Sequence, residues 1–570
     1  MQKLLLIVII MTFSVLVEAQ VTPKSIAYDT VITKTANAKT FYVKNPTNKL
    51  IQITNVRTVT GKFYFNLSPF NINPNDSVLV TVYFNSPQNI THRDFLIFED
   101  KGLNCSIIYY GLCTAKFPES YYLPTQNLWD EALKTAIRTY TTTGYVTLGY
   151  NTARDHMFAT IDKYLTNDTI ECVYTGFKVR AVNRTEAQAQ GFNTEHTFPQ
   201  SFFNSNDPMV SDLFHLYPTL ESPNSCRSNY DFNKVFTITS TSCNVGGSKL
   251  GTDSTGETVY EPRDKHKGNV ARSLFYFSVK YNNISPGGYM DTKQENRLRL
   301  WNYFDTTDAN ERLRNTRIAN YQHVRNPFID HPELIDRIAS TFSVVNRTPV
   351  GKISATPYTV TYDTLRAGDT SSYLIGIMNY GTANLTISNA ISSIPQFTVV
   401  STASPIAAGQ FGYIRVKFSP TSTYTTYNGT LTVSNSDSTI IINLKGVSSG
   451  PIGIQNISST VPKETKLFQN YPNPFNPVTI IRFQISGYEN GKKKNENSFV
   501  TLKVYNLLGQ EIATLVNEKL TPGIYEIPFS VYQSSGSQIL SGVYFYKLEI
   551  VDPLGRTENF SQTNKLIIVK

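Results

Sequence analysis

The stretch FNTEHTFPQSFFNSNDPMVSDLFHLYPTLESPNSCRSNY, residues 192–230, decides how the middle of this chain folds. TEHTFPQ and SDLFHLYPT are short, apolar-flanked segments that read as two strands, each ending at a proline. Ser222 is a good helix N-cap and Pro223 suits a first helical turn, so SPNSCRSNY is expected to open a helix. The predicted unit is strand, strand, helix. A polar side chain near the start of such a helix faces back onto the strand pair, where it can hold a divalent cation beside a base.

The residue types in this unit suit phosphodiester hydrolysis. A water must lose a proton as it attacks, which a neutral imidazole does well near pH 7, and the phosphate and departing oxygen need positive charge. Mg²⁺ prefers oxygen ligands, keeps several waters and often binds through one or two protein groups plus the substrate phosphate. Glu195 and Asn224 are the expected metal ligands, His196 the general base, and Arg227, one helical turn beyond Asn224, a phosphate contact on the same face. Asn229 is an alternative ligand. Neighbours on a regular strand point to opposite faces, so Glu195 and His196 share a site only if the strand twists or ends there; Pro199 favours an early end.

Around this unit the apolar spacing turns helical. NLWDEALKTAIRTY at 127–140 places Leu128, Leu133 and Ile137 near the helical period, ARSLFYFSVKY at 271–281 repeats it, and ENRLRLWNYF and ANERLRNTRIANYQHVRN carry it to Asn326. Six of the seven histidines (His156, His196, His215, His266, His323 and His331) fall between 118 and 348, leaving only His92 outside. The same stretch holds 24 Lys and Arg against 25 Asp and Glu, so the chain's net charge of +9 lies in its flanks and is not an argument for nucleic-acid binding.

Those flanks are strand-rich. Residues 20–117 contain KTFYVKN at 39–45, LIQITNV at 50–56 and VLVTVYF at 78–84, alternating runs separated by turn residues. YLIGIMNYGTANLTI at 373–387, GYIRVKFSP at 412–420 and GTLTVSNSDSTIIINLKG at 429–446 repeat the plan within 349–450. Both read as β-sandwiches, with spacer or weak adhesion roles. From 456 to 570, LFQNYPNPFNPVTIIRFQI at 467–485, VTLKVYNLLGQEIATL at 500–515, the turn Pro522-Gly523 and SGVYFYKLEI at 541–550 imply a smaller sandwich, with Lys492 to Lys494 in a hairpin loop. A chain of 570 residues with 40% hydrophobic, 12% aromatic and 17% charged residues is neither disordered nor a single core.

Lys3 precedes an apolar run from Leu4 to Val17 and a Val-Glu-Ala cleavage pattern at 17–19, which reads as a signal peptide of residues 1–19. A membrane anchor needs about 20 apolar residues, and no other stretch approaches that. Among the five cysteines, Cys105 with Cys113 and Cys226 with Cys243 are the expected disulfides, leaving Cys172 over.

Six ordered blocks between 118 and 345 resemble the bacterial endonuclease I family: YNTARDHMFATID, EHTFPQS, DLFHLYPT, NSCRSNY, YEPRDKHKGNVARSLFY and RNPFIDHPEL. These enzymes are secreted, sugar-nonspecific nucleases of ββα-metal fold. The resemblance implies a nuclease over 118–348 that cleaves DNA, RNA or both to 5′-phosphates with Mg²⁺ (or Mn²⁺ or Ca²⁺). In it Glu195 and Asn224 match the metal ligands and His196 the base. Phe198 stands where the family usually has Trp, and Phe214 where it has His. No arginine lies between 197 and 211, where some members carry a transition-state arginine, which leaves Arg227 or Arg263 as catalytic candidates. Arg272 and His266, in EPRDKHKGNVAR, are substrate-binding candidates; His331 is expected to be structural, and His215 and Tyr217 to lie beside the site.

The two flanking sandwiches resemble immunoglobulin-like modules of bacterial surface proteins. YPNPFNP, VYNLLGQE and SGVYFYKL resemble the C-terminal sorting domain of type IX secretion, which implies export through that machinery and then removal of the domain or attachment to the cell surface. The expected protein is thus a multidomain, secreted monomer without a transmembrane segment. Two other classes are a surface adhesion protein with a vestigial nuclease core and a phosphodiesterase acting on another substrate.

Overall fold

A computed structural model describes residues 25–45, 48–100, 106–163, 168–282, 288–449, 455–458, 461–489, 492–493, 497–531, 539–551 and 559–569. The expected signal peptide, Cys105 and Lys494 lie outside these residues. The architecture is multidomain and mostly β, with several separate sheets and helices gathered in the middle of the chain. Its contacts divide it into two compact units. The first is Met1–Ser354 with Met378–Leu385 and Pro405–Phe411; the second is Ala355–Ile377, Thr386–Ser404 and Gly412–Lys570.

The first unit opens with a six-stranded and a three-stranded sheet, the latter running Asn37–Lys44, Ser77–Phe84, Phe63–Phe65. Val43, Val80, Val82 and Phe84 are fully buried, as strand alternation requires of one face. Cys113 lies in this core as a buried free thiol, so the expected pairing with Cys105 is not made. A small apolar side chain serves there, packed among strands.

The helical block follows. Helix α1 (Asp130–Thr142) buries Leu133 and Ile137 at the predicted spacing, while Leu128 packs on the same core from just before the helix. Strand β1 (Phe192–His196) pairs antiparallel with β2 (Leu216–Leu220) in a two-stranded ribbon. Strand β2 does not end at its proline. Pro218 sits inside it opposite Thr194, which a ribbon permits because only one edge of β2 carries ladder bonds to β1. Helix α2 (Glu221–Arg227) starts earlier than expected: Leu220 is its N-cap, without a side-chain cap, and Ser222 and Pro223 fall in the first turn. The first amides of a helix have no intrahelical acceptor, so Pro223 is tolerated there.

After α2 comes a sheet of β3 (Asp231–Phe232), β4 (Thr237–Val245), β5 (Ser248–Thr252) and β6 (Thr258–Glu261), ordered β3-β6-β5-β4. Helix α3 (Lys267–Lys280) is buried almost all round, so it shows no polar face and serves as the axis of the block. Helices α4 (Thr292–Phe304) and α5 (Ala309–Gln322) are each capped by an aspartate, Asp291 accepting from the Gln294 amide and Asp308 from that of Glu311. The Cys226–Cys243 disulfide joins α2 to β4 as expected, and Cys172 is a buried free thiol.

The second unit holds a sheet containing Thr359–Thr361, Ile440–Ser449, Thr426–Asn435 and Ile387–Ser392. It also holds two four-stranded sheets near the C-terminal end, whose core includes Ile481, Phe483, Val500, Leu502 and Tyr546. Residues 467–485 form extended segments and no helix, as their prolines dictate. Lys492 and Lys493 pair with Tyr488 and Glu489 in a short ribbon. Among the described residues, no helix is long and apolar enough to cross a membrane.

Candidate active site

The β1–β2 ribbon and α2 bring Glu195 and Arg227 together, and Asn224 lies one helical turn before Arg227. Glu195 lies opposite Tyr217 in the ribbon register and is only 2% exposed. Its Oε1 accepts a hydrogen bond from the Tyr174 hydroxyl at 2.7 Å and lies 3.1 Å from Arg227 Nε. Burial raises the Glu195 pKa above the usual carboxylate value, with Arg227 and Tyr174 opposing that rise. For Arg227, burial works against the charge, but Tyr289, Glu195 and Tyr174 outweigh it and keep the guanidinium protonated.

Arg227 is not placed as a phosphate contact. It is 1% exposed, donates to Thr197 O at 2.7 Å, to the Tyr289 hydroxyl at 2.7 Å and to Ser228 O at 2.5 Å, and lies over the Phe232 ring. These contacts orient it inward, so it buttresses Glu195 and the end of α2. Asn224, one turn earlier, is half-buried, and its Oδ1 is buried with no hydrogen-bond partner among the described residues. Native structures rarely leave such an oxygen unsatisfied. Asn229 is exposed and donates to Ser201 Oγ at 3.1 Å.

His196 is the last residue of β1, so the strand ends where Pro199 suggested. The two neighbours nevertheless keep separate surroundings: Glu195 meets Tyr174 and Arg227, whereas His196 meets Tyr150, His215 and the Val210 carbonyl. Because a carbonyl only accepts, Nε2 of His196 carries the proton in its 3.4 Å contact with Val210 O, and Nδ1 holds the lone pair. Burial, then repulsion from His215, pushes the His196 pKa down to about 3. The imidazole is neutral at pH 7. His215 packs beside it, donating from Nε2 to Met209 O at 2.7 Å, and its own pKa is pushed down to about 4, chiefly by burial.

The remaining candidates separate. Arg272 is fully buried and holds Glu311 through two bonds of 2.7 and 2.6 Å, so it cannot meet substrate; it ties α3 to α5. Arg263 bonds Glu171 at 2.5 Å and remains at the edge of a cavity also lined by His266 and Tyr217. Gly176, at φ +76°, makes room for it: a Cβ there would come within 2.5 Å of the Arg263 guanidinium. His331 stacks on Phe117 and bonds Glu119 at 3.0 Å, the structural role expected of it. Sequence reasoning missed Tyr174, Tyr150 and Tyr289. With 35 tyrosines in the chain, residue type alone could not single them out.

Residues 126–333 match the family model described as Endonuclease I. An extracellular ribonuclease of Bacillus amyloliquefaciens is 31% identical over 241 residues, covering 39% of this chain and 78% of the relative. One of Bacillus subtilis (strain 168) is 30% identical over 237 residues, with the same coverage of 39% and 78%. The chain belongs to the endonuclease I family. It is therefore a nuclease enzyme, and its nucleic-acid substrate follows from that membership. Among solved structures, the ASH / PapD-like domain 7 of human CEP192 is 14% identical, covering 20% of this chain and 96% of its own, at a TM-score of 0.17. A score that low carries no argument.

Proposed function

We propose that this endonuclease I family member is an exported, divalent-cation-dependent endonuclease that hydrolyses RNA, DNA or both to 5′-phosphate ends. The observation that supports the proposal is the buried Oδ1 of Asn224, without a hydrogen-bond partner among the described residues, on the short helix whose last residue pairs with Glu195. Among the described residues no three His, Cys, Asp or Glu side chains form a metal-binding group, so the fitting donors are one carboxylate and one amide oxygen. That set suits Mg²⁺, with Mn²⁺ or Ca²⁺ as substitutes, since a hard cation completes its shell with water and phosphate. When bound, the cation supplies positive charge against the phosphate and the leaving oxygen.

The protein's own part is proton removal and positioning. Arg227 and Tyr174 both meet Glu195 at Oε1 and lock the orientation of the carboxylate that would hold the cation. In this reading His196 takes the proton of the attacking water at Nδ1, and the contact of its Nε2 with Val210 O, which fixes the tautomer, supports that role. A base with a pKa of about 3 is weak, but the negative charge of an arriving phosphate raises it toward a useful value. With Arg227 turned inward, the remaining arginine candidate is Arg263, which is held by Glu171 and lines a cavity that neither Glu195, His196 nor Asn224 lines, so its phosphate contact would fall beside the scissile bond and not at it.

The wider organisation belongs to the same reading: a signal peptide at 1–19, immunoglobulin-like modules at 20–117 and 349–450, the ββα-metal nuclease at 118–348 and a type IX sorting domain at 456–570. The relatives' description as extracellular ribonucleases supports export and makes RNA the first substrate to try. Purified full-length protein incubated with plasmid and with structured RNA, with Mg²⁺ or with chelator, tests the proposal. Cleavage that needs the cation and falls about a hundredfold or more in His196→Ala is expected. Cleavage indifferent to chelator removes the metal, and cleavage indifferent to His196→Ala removes the base.

A further inference from the structure

A cavity of about 430 Å³ opens beside β2, walled by Tyr217 and Pro218 on one side and by residues of α5 on the other. Neither Glu195, His196 nor Asn224 lines it. Its wall carries six basic side chains, Lys163, Lys178, Arg263, Lys265, Arg314 and Arg317, against four acidic ones. The acids are largely matched already. Glu171 bonds Arg263 at 2.5 Å and lies 3.3 Å from Lys178; Asp162 holds Arg314 at 2.7 Å; Glu311 is taken by Arg272, which is outside the cavity.

Two of the cations have no carboxylate partner among the described residues. Arg317 donates only to the carbonyls of Ile161 at 3.0 Å and Lys163 at 2.7 Å, and Lys265 stands exposed. Independently, His266 lines the cavity at 3% exposure, and its Nε2 is buried without a hydrogen-bond partner among the described residues. Its ring is held edge-on against Tyr217 and Tyr174, the latter being the residue bonded to Glu195. Surplus positive charge, the His266 ring and two amides, Asn269 and Asn310, all line one space. That space is far larger than a halide or phosphate needs and falls in the range of small-ligand sites.

We propose that this cavity is a nucleotide-binding subsite, taking one phosphate-bearing nucleotide of the nucleic acid away from the scissile bond. That the ligand is a nucleotide rests on the nuclease reading; that it is anionic rests on the cavity. Arg317 and Lys265 would meet the phosphate, His266 Nε2 would gain its missing bond, and the two asparagines would face the nucleoside.

The test is calorimetric titration of the full-length protein, in chelator, with adenosine 5′-monophosphate, adenosine and inorganic phosphate. The expected result is saturable binding of the monophosphate about tenfold or more tighter than adenosine, weakened about tenfold by Lys265→Ala and by Arg317→Gln. Equal affinity for adenosine, binding of inorganic phosphate alone, or indifference to both substitutions would overturn the proposal. If Arg317→Gln unfolds the protein, the exposed Lys265 still gives the answer. Polymer cleavage is read separately: a protein that cuts RNA but ignores the monophosphate sinks the subsite, and one that binds it but cuts nothing sinks the nuclease mechanism.

Discussion

Arg227→Ala discriminates between two roles for the same side chain. As a phosphate contact, Arg227 would be dispensable for folding, and its loss would flatten the salt dependence of substrate binding by about one counterion. The structure assigns it the opposite character: 1% exposed, ion-paired with a carboxylate that is itself 2% exposed, and bonded to Thr197 O, Ser228 O and the Tyr289 hydroxyl. Truncation strands Glu195 as a buried charge, which typically costs about 3–5 kcal/mol. For a folding unit of this size that corresponds to a melting shift of roughly 6–20 °C. The assay is unusually clean because the chain has two tryptophans, Trp129 and Trp301, both within the helical block, so intrinsic fluorescence reports that block and not the sandwiches. Arg227→Ala should melt at least 6 °C lower, while its residual activity keeps the wild-type salt slope. A variant that melts within about 1 °C of wild type, with a flattened salt slope, would refute the buried-pair account.

Other consequences follow from the same geometry. His196 and His266 have pKa values pushed down to about 3 and His215 to about 4, chiefly by burial, so below about pH 6.5 the unfolded chain binds protons that the folded one refuses. Stability of the block should therefore fall as pH drops from about 6.5 to 4, by up to about 4 kcal/mol per unit for three histidines. The raised carboxyls of Glu195 and Glu311 act in the opposite sense and offset part of the fall. A tryptophan melting point that stays flat over that range would contradict the burial of these rings. Asn224→Ala removes an oxygen that lacks a partner among the described residues, so in chelator it should melt within about 2 °C of wild type yet lose any stabilisation by Mg²⁺. Equal Mg²⁺-induced shifts in both proteins would exclude Asn224 as a ligand. Finally, α2 has only seven residues and depends on tertiary ties; cutting the Cys226–Cys243 bridge, separated by 17 residues, should cost about 3 kcal/mol and lower activity more than it lowers binding. Unchanged activity in Cys226→Ser/Cys243→Ser would show that the bridge does not hold the site.

Much of the fold was legible because its signals are local. Alternation in KTFYVKN and VLVTVYF announces strands with one face buried, and the spacing of Leu133 and Ile137 announces α1. The strand, strand, helix unit and the Cys226–Cys243 pairing were also readable. Local errors were small and had local causes: a proline that a strand edge asking nothing of its nitrogen accepts at Pro218, whose carbonyl still takes the Val173 amide, and a helix that begins at Glu221 before the better capping residue Ser222.

By itself the sequence determined which segments become strands and helices, and which residue types could meet in a hydrolytic site. Tertiary structure alone decided which charges face water. Arg227, Arg272 and Arg263 are equivalent as letters, yet the first pairs with Glu195 and the second with Glu311 in the interior, while the third reaches an open cavity. The reason is physical. A buried charge survives only with a matched partner, and those partners lie 32 residues away for Arg227 and 39 for Arg272, beyond the range of any local pattern.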